Sequence, residues 1–476
     1  MSKSTITADL CIIGAGSGGL SVAAGAAQMG ADVVLIERGL MGGDCLNYGC
    51  VPSKSLIAAA HAAHTVRHSG RFGVNGHEPE IDFARVHGHV KDVIAGIAPH
   101  DSVERFEALG VRVIQGEGRF TGPREVEAAS QRIRARRFVI ATGSRAFIPP
   151  VPGMEGVPYL TNESVFELSE RPDHLLVMGG GPIGVELAQA FRRLGAAVSV
   201  IQRGAILPKD DPDAAQVVRR SLCRDGVALH ERAEVEAVSR DGNGIAIRLV
   251  QGGETRRLRG SHLLVAAGRQ ANVERLNLEA AGIELGPRGI AVDARLRTSN
   301  RRVFAIGDVA GGLQFTHLAG YHAGIVIRNA LFRLPASADH SAVPWVTYTA
   351  PELAHVGLSE SEARERLGDK LRVTRFDLEG NDRARAELET DGFVKVMLGA
   401  HGRVLGATIV GHHAGELLHP WILMVQKGMK IGDMAGAIAP YPTLSESSKR
   451  AAGNAFTPTL FSARTRRVVR FLQALP

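Results

Sequence analysis

The apolar positions near the start of the chain predict a strand, a helix and a second strand in close succession. Apolar residues dominate Asp9 to Ile13, which is typical of a buried parallel strand. Small residues continue to about Gly30 and predict a helix, and Asp32 to Ile36 predicts a second strand that leads into Glu37. Strand, helix and strand in this order form a parallel α/β unit.

The turn between this strand and its helix has the spacing G-x-G-x-x-G, formed by Gly14, Gly16 and Gly19. Glycine permits the tight turn and the close approach of a pyrophosphate, which binds at the helix N-terminus. Glu37 follows the second strand, where a carboxylate accepts hydrogen bonds from a ribose. We therefore predict a dinucleotide site here, against the alternative of a glycine-rich turn without a ligand.

The same pattern recurs in the middle of the chain. His174 to Met178 predicts a strand, a helix extends to about Leu194, and Ala197 to Ile201 predicts the next strand. The glycines of this turn are Gly179, Gly181 and Gly184. Gln202 and Arg203 stand where an acidic residue is expected, and a cation at this turn accommodates a 2′-phosphate. We predict NADPH rather than NADH, with a solvated loop position for Arg203 as the alternative.

Bulk composition narrows the class of protein. A chain of 476 residues is expected to form about two to four domains, and 45% apolar and 22% charged residues are ordinary for a globular protein. The net charge of +7 is spread over interleaved acids and bases without a nucleic-acid-binding motif. We therefore expect anionic cofactors rather than nucleic acid. The N-terminus has no signal-peptide pattern, so we predict a cytoplasmic protein.

Only two of the four cysteines lie close together in sequence. Cys11 is expected to be a buried thiol in the first strand, and no role is predicted for Cys223. Cys45 and Cys50 are separated by five positions, over which a regular helix rises about 7.5 Å, more than the roughly 4.4 to 6.8 Å between the Cα atoms of a disulfide. We therefore predict a distorted first helix turn. Two ligands do not complete a zinc site, so redox chemistry is favoured and no metal site is predicted.

The segment from Gly42 to Lys54 has the pattern G-G-x-C-L-x-x-G-C-x-P-S-K, which resembles the active site of the class I pyridine nucleotide–disulfide oxidoreductases. That family includes dihydrolipoamide dehydrogenase, glutathione reductase and mercuric reductase. The resemblance covers essentially the whole chain. Further segments that resemble the family are Ala141–Gly143, Ala266–Arg269, Val303–Asp308 and Pro344–Gly357.

The resemblance implies an α/β protein with two Rossmann-like dinucleotide-binding domains and a C-terminal α+β dimerisation domain. The FAD domain would comprise residues 1–150 and 270–340, the NAD(P) domain residues 151–269 and the interface domain residues 341–476. A homodimer is implied, in which FAD is held permanently and NADPH or NADH exchanges.

The resemblance also implies an electron path. NAD(P)H passes a hydride to one face of the flavin, and the reduced flavin opens a Cys45–Cys50 disulfide on the other face. Cys50 would be the thiolate nearest the flavin and Cys45 the thiol that meets the substrate, with Lys54 and Glu186 beside the flavin. The candidate cofactor-binding residues are Gly14, Gly16, Ser17, Gly19, Glu37, Gly43, Lys54, Gly118, Thr142, Gly143, Gly179, Gly181, Ile183, Gly184, Arg203, Gly268 and Asp308.

One position departs from the disulfide reductases of the family. They carry a His-Pro-Thr segment and then a glutamate, donated across the dimer interface, whereas this chain has Tyr441-Pro442-Thr443 and then Glu446. A phenol with a pKa near 10 is a poor proton shuttle at neutral pH, whereas an imidazole near 6.5 is well matched. We predict that Tyr441 and Glu446 reach the partner's dithiol, and that lipoyl or glutathione disulfides turn over weakly.

A tyrosine followed by a glutamate at this point is reminiscent of mercuric reductase, so a metal ion or a small disulfide is the predicted acceptor. We expect neither the C-terminal cysteine pair nor the N-terminal metal-capture domain of that enzyme. Dihydrolipoamide dehydrogenase with NAD, a quinone acceptor and a flavin-containing redox sensor are the alternatives. For the basic tail from Phe461 to Leu472, a helix packed on the dimer is favoured over membrane contact.

Overall fold

The computed structural model describes residues 5–475, which form two compact units. The first unit consists of the chain up to Arg203 together with Leu229–Asp339, and the second of Gly204–Ala228 together with the chain from His340. The predicted α/β class is confirmed, with parallel strands in the first unit and an antiparallel sheet with helices in the second. The division into cofactor domains stays a prediction.

The largest sheet of the first unit has seven strands, and its central strand, Thr5–Ile13, pairs in parallel on both sides. Leu10 to Ile13 are buried, as expected for a strand covered on both faces. Gln131–Ile140 pairs both with this strand and with Val303–Ala305, so a distant segment joins the sheet. The other strands are Val111–Gln115, Val33–Glu37, Glu125–Ala128 and Arg119–Gly122.

A second, four-stranded sheet of the first unit contains His174–Met178, which pairs in parallel with Ala197–Gln202 and with His262–Val265. Its outer strand is Ala228–Glu231. The smaller antiparallel sheets of the unit consist of Ala233–Asp241 with Gly244–Gln251 and Glu254–Gly260, of Ser144–Ala146 with Arg269–Ala271, and of Leu285–Gly286 with Gly289–Ile290.

Helices of the first unit cover its sheets, and two of them begin directly after a glycine turn. Ser17–Gln28 has Gly16 as its N-cap, and Pro182–Arg193 has Gly181. Proline at the first helical position of the latter costs no hydrogen bond, because that N–H has no partner within the helix. The remaining helices are Gly43–Asn47, Cys50–His68, Phe83–Ile97, Val103–Ala108 and Thr316–Ala330.

The second unit is built on a five-stranded antiparallel sheet covered by helices. Its strands, in sheet order, are Pro344–Thr347, Glu352–Gly357, Val404–Gly411, Phe393–Leu398 and Arg372–Asp377. Its helices are Pro212–Arg224, Glu360–Leu367, Asp382–Ala386, Ala414–Leu417, His419–Lys427, Ile431–Gly436, Glu446–Asn454, Thr457–Leu460 and Ala463–Gln473.

A buried lysine ties Gly204–Ala228 to the rest of the second unit. Lys395 Nζ lies 2.9 Å from Asp211, 2.7 Å from Asp213 and 3.1 Å from Glu360, and the Lys395 side chain is 6% exposed. A buried charge requires such partners, because removing it from water is costly unless it is paired and hydrogen-bonded. This segment therefore packs with the C-terminal sheet.

The last helix, Ala463–Gln473, contains no buried residue. Four arginines and exposed apolar side chains such as Phe471 and Leu472 alternate along it. Among residues 5–475, no helix is both long enough and apolar enough to span a lipid bilayer.

Candidate active site

The first glycine turn requires glycine for steric reasons. Gly14 has φ +105°, and a Cβ atom there would overlap the carbonyl oxygen of Ala141. A Cβ atom at Gly19 would overlap the carbonyl oxygen of Gly14, because the helix starts against the end of the strand. Gly16 has room, with only Gly43 within 4 Å of an added Cβ, which fits the cradle for a pyrophosphate.

Glu37 is fixed beside this turn by two backbone N–H groups. Its Oε2 accepts a hydrogen bond from Ala15 N at 2.6 Å, and its Oε1 accepts one from Gly39 N at 2.7 Å. Gly118 is buried against the side chains of Ile13 and Ile36, which lie 3.1 and 3.3 Å from where its Cβ would be. The carboxylate therefore stands at the carboxyl edge of the sheet, in position for a ribose hydroxyl.

The second glycine turn repeats the backbone of the first. Gly179 has φ +119°, and Cβ atoms at Gly179 and Gly184 would overlap the carbonyl oxygens of Ala266 and Gly179. Here Gln202 Oε1 accepts the hydrogen bond, from Gly180 N at 2.8 Å. The turn is open to solvent: a Cβ at Gly181 would meet nothing within 4 Å, and Ile183 and Arg203 are exposed. Its N–H groups are accessible to a phosphate.

The two cysteines lie on separate helices. Cys45 is in the short helix Gly43–Asn47, and Cys50 is the first residue of Cys50–His68. The predicted distortion is thus an interruption of the helix at Tyr48 and Gly49. Gly43, with φ +58°, brings this segment onto the first glycine turn, because a Cβ there would lie 2.7 Å from the Cα of Gly16. The cysteine pair therefore adjoins the predicted flavin site.

Cys50 is the sulfur that carries negative charge most easily. Both cysteines are free thiols in this structure. The hydrogen bond from Cys45 lowers the pKa of Cys50 to about 6, against the opposing effect of burial, and Thr316 and Lys54 lower it further. The same hydrogen bond, together with burial, raises the pKa of Cys45. The dithiol at neutral pH is therefore a Cys50 thiolate hydrogen-bonded to a Cys45 thiol.

Lys54 and Glu186 form an ion pair one helix turn from Cys50. Lys54 Nζ lies 2.8 Å from Glu186 Oε2, and the two side chains are 36% and 6% exposed. Glu186 is carried by the helix of the second glycine turn, and Lys54 by the helix of Cys50. The pair thereby places an oriented ammonium group near the dithiol.

A polar chain around Asp308 was not found from the sequence. Ser144 Oγ donates a hydrogen bond of 2.5 Å to Asp308, and Arg269 donates to Ser144 Oγ at 2.7 Å. Arg269 also lies 3.2 Å from Asp44, the residue before Cys45. Burial raises the pKa of the Asp308 carboxyl, and the bond from Ser144 opposes it. These contacts connect the cysteine segment to the segment Val303–Asp308 over more than 260 positions of sequence, and no local pattern signals them.

Other predicted cofactor residues lie in turns near these groups. Thr142 Oγ1 donates to Asn272 O at 2.8 Å, and Asn272 Nδ2 donates to Thr142 O at 2.9 Å, which fixes the turn at Gly143. Gly143 and Gly268 both have positive φ, +66° and +137°. These residues belong to the first unit together with the cysteines and both glycine turns.

Tyr441 and Glu446 lie in the second unit. Tyr441 is 69% exposed, and its hydroxyl donates a hydrogen bond to Asp382 Oδ2 at 3.1 Å. This hydrogen bond and the negative charge of Asp382 raise the pKa of Tyr441 above its usual value. Glu446 begins the helix Glu446–Asn454. Asp382, which the sequence did not single out, therefore moves the pKa of Tyr441 further from neutral pH.

Comparisons with known proteins agree with this geometry. Residues 8–323 match the family described as pyridine nucleotide-disulphide oxidoreductase, and residues 343–452 match its dimerisation domain. A mercuric reductase of Bacillus cereus is 36% identical over 446 residues, covering 93% of this chain and 70% of that protein. A dihydrolipoyl dehydrogenase of Thermus scotoductus is 36% identical over 464 residues, covering 94% of this chain and 97% of that protein. Among solved structures, the Cu(II) complex of HOCl-induced flavoprotein disulfide reductase RclA from Escherichia coli matches with a TM-score of 0.83 at 29% identity. The match covers 93% of this chain and 98% of that chain.

Proposed function

Because this chain belongs to the pyridine nucleotide-disulphide oxidoreductase family, we propose that it passes electrons from NADPH through FAD and the Cys45–Cys50 pair to a soft metal ion. It is an FAD-dependent oxidoreductase, and members of the family use FAD and NAD(P)H. The match of residues 343–452 to the family's dimerisation domain supports a homodimer. A small disulfide is the second acceptor within the same proposal.

The residues present fit both cofactors. FAD would supply a carrier of two electrons between the nicotinamide and the disulfide. The first glycine turn and Glu37 would hold its pyrophosphate and ribose, and Asp308 its ribityl chain. The second glycine turn would hold the nicotinamide cofactor, with Arg203 beside a 2′-phosphate. An exposed cation next to a neutral Gln202 supports NADPH over NADH.

The state of Tyr441 is the observation that carries the choice of acceptor. Reduction of a disulfide to two thiols takes up two electrons and two protons, so it needs a proton donor that titrates near neutral pH. Reduction of Hg(II) to the metal takes up two electrons and no proton. Tyr441, whose hydroxyl is bonded to Asp382 and whose pKa is raised above its usual value, is a poor proton relay at neutral pH. A metal-ion acceptor removes the need for one.

The relatives support this assignment. A mercuric reductase is 36% identical to this chain, and the similar solved structure of RclA is a Cu(II) complex. Two thiolates are good ligands for soft metal ions. We further propose that the exposed helix Ala463–Gln473 packs on the second subunit, since it lies about ten residues after the matched dimerisation domain, and that the protein works in the cytoplasm.

Dihydrolipoamide oxidation with NAD is the second candidate, because a dihydrolipoyl dehydrogenase has the same 36% identity to the chain as the mercuric reductase. The test is an acceptor panel on the purified holoenzyme. Hg(II), Cu(II), lipoamide, glutathione disulfide and quinones are compared under NADPH and under NADH. We expect the fastest nucleotide oxidation with a metal ion and NADPH. Rapid NAD-linked oxidation of dihydrolipoamide would overturn the proposal, and slow turnover with every acceptor would indicate a redox sensor.

Replacing Tyr441 tests the proton relay separately. Tyr441→His introduces a group that titrates near neutral pH, so we expect disulfide turnover to rise about tenfold or more. Metal-ion reduction should not gain, because it takes up no proton. Tyr348→His, another exposed tyrosine of the second unit, is the control. If disulfide turnover is unchanged in Tyr441→His, the lack of a proton relay at position 441 is not the reason why the protein prefers a metal ion to a disulfide.

A further inference from the structure

Three helix N-termini meet at the cysteine pair. Cys50 is the first residue of Cys50–His68, Thr316 of Thr316–Ala330 and Ser17 of Ser17–Gln28. Cys50 Sγ lies 3.6 Å from Thr316 Oγ1, and Ser17 and Thr316 both lower the pKa of the neighbouring Cys45. Thr316 reaches the dithiol from 266 positions away in the sequence. This contact is separate from the residues that the sequence motifs indicate.

We propose that Thr316 is a positioning residue whose hydroxyl donates a hydrogen bond to the Cys50 thiolate and keeps the negative charge on that sulfur. The inference rests on the proposed role of the Cys45–Cys50 pair. Its consequence is that the Cys50 thiolate persists to a lower pH than it would without the Thr316 hydroxyl.

The chemistry of the contact fixes the direction of the bond. A thiolate has no proton and accepts only, whereas a threonine hydroxyl has one O–H to donate. Hydrogen bonds to charged groups are about twice as strong as those between neutral groups. The N-cap of the Thr316 helix is Phe315, which has no polar side chain, and no side-chain cap is present there.

The helix N-termini at Cys50 and Thr316 stabilise the Cys50 thiolate in addition to the Thr316 hydroxyl. Backbone N–H groups at the first turn of a helix carry partial positive charge and favour an anion nearby. Cys50 lies at the start of one helix and faces the start of another through Thr316. Lys54 also favours the thiolate, and Glu186 disfavours it. Thr316 is the part of this environment that a single isosteric substitution removes.

Thr316→Val tests the inference, because it keeps the shape of the side chain and removes the donor. The measurement is a pH titration of the Cys50 thiolate in the two-electron-reduced holoenzyme, followed by its long-wavelength charge-transfer absorbance with the flavin. We expect the apparent pKa of Cys50 to rise by about one unit, which leaves about tenfold less thiolate at a pH below that pKa. Thr316→Ser, which keeps the hydroxyl, should restore the parent value.

Thr65→Val is the matched control, since Thr65 lies in the same helix as Cys50 and its hydroxyl bonds only to the helix carbonyl of His61 among the contacts described. FAD content and thermal melting establish that each variant is folded, and Thr316→Ala provides a second variant without the donor. An unchanged titration in a folded, FAD-loaded Thr316→Val or Thr316→Ala protein would overturn the inference. The absence of any thiolate band in the parent protein would instead contradict the proposed dithiol itself.

Discussion

The two glycine turns of the first unit have one backbone and two different surroundings. In both, the first and third glycines stand where a Cβ atom would overlap a carbonyl oxygen, at Gly14 and Gly19 in one and at Gly179 and Gly184 in the other. In both, the side chain at the end of the second strand accepts a hydrogen bond from a backbone N–H of the turn. That side chain is the carboxylate of Glu37 in the first turn but a neutral amide in the second.

The two turns also differ in what covers them. Added Cβ atoms at Gly16 and Gly18 would meet Gly43 at 3.9 Å and Ile306 at 3.1 Å, so other segments of the chain close over the first turn. Gly181 faces open space, and Ile183, which takes the place of Gly18, is 38% exposed. The same backbone cradle thus serves an enclosed, acidic site and an open site without an acid. This contrast supports the proposal that the first turn holds FAD permanently and that the second binds an exchanging NADPH.

The largest effect should come from filling the third glycine position of each turn. In Gly19→Val we expect loss of nearly all bound FAD and of activity, because the side chain overlaps the backbone on which the pyrophosphate would lie. In Gly184→Val the FAD should remain, while oxidation of NADPH falls at least 100-fold, an effect of about 2.7 kcal/mol or more. The flavin-to-protein absorbance ratio and NADPH kinetics measure the two effects.

Gly88→Ala, at a helix position where the added Cβ meets nothing within 4 Å, is the control for both variants. Loss of FAD from Gly184→Val to the same extent as from Gly19→Val would contradict the separate roles of the two turns. Retention of FAD by Gly19→Val would contradict the first assignment alone.

The backbone of both turns was predictable because it depends on local sterics. Glycine spacing, a preceding apolar run and a following helix are all contained within about 30 residues, and His174 to Met178 is a strand with the predicted bounds. The strand and helix patterns of the first turn were likewise found within a few residues of Thr5–Ile13 and Ser17–Gln28. The residues that close over the first turn could not be predicted in this way.

The site contacts that the sequence did not indicate join residues that lie far apart in the chain. Arg269 bonds Ser144 and contacts Asp44, and Thr316 contacts Cys50, across separations that no periodic pattern reports. Asp382 lies 59 positions from Tyr441, so its hydrogen bond to the tyrosine was also hidden. The sequence predicted only a distorted helix turn between Cys45 and Cys50, whereas the two cysteines lie on separate helices. The form of this interruption could not be predicted, because it depends on packing against the first glycine turn.

Reversing the charge at the second turn should give an intermediate effect. Arg203→Glu places a carboxylate beside the expected 2′-phosphate, so kcat/KM for NADPH should fall about 10- to 100-fold, an effect of about 1.4 to 2.7 kcal/mol. The value for NADH should change little, because NADH has no phosphate there. Arg112→Glu, an exposed arginine on the edge strand of the large sheet, controls for the change in net charge. An equal fall for both nucleotides would mean that Arg203 does not distinguish them.

The smallest effect should come from Glu37→Gln, which gives the first glycine turn an amide side chain like that of Gln202 in the second turn. An amide at position 37 has one oxygen, so Glu37→Gln can keep the bond from Ala15 N but loses a carboxylate acceptor for Gly39 N. The remaining bond also loses its charge, and a bond to a ribose hydroxyl would weaken in the same way. We expect FAD to dissociate about five- to tenfold more readily, which corresponds to about 1 to 1.4 kcal/mol, measured as flavin released during dialysis.

Glu80→Gln changes an exposed acid outside both turns and should release no more flavin than the parent protein. If Glu37→Gln releases no more flavin than this control, the carboxylate contributes nothing to FAD retention, and enclosure of the turn alone separates the two sites.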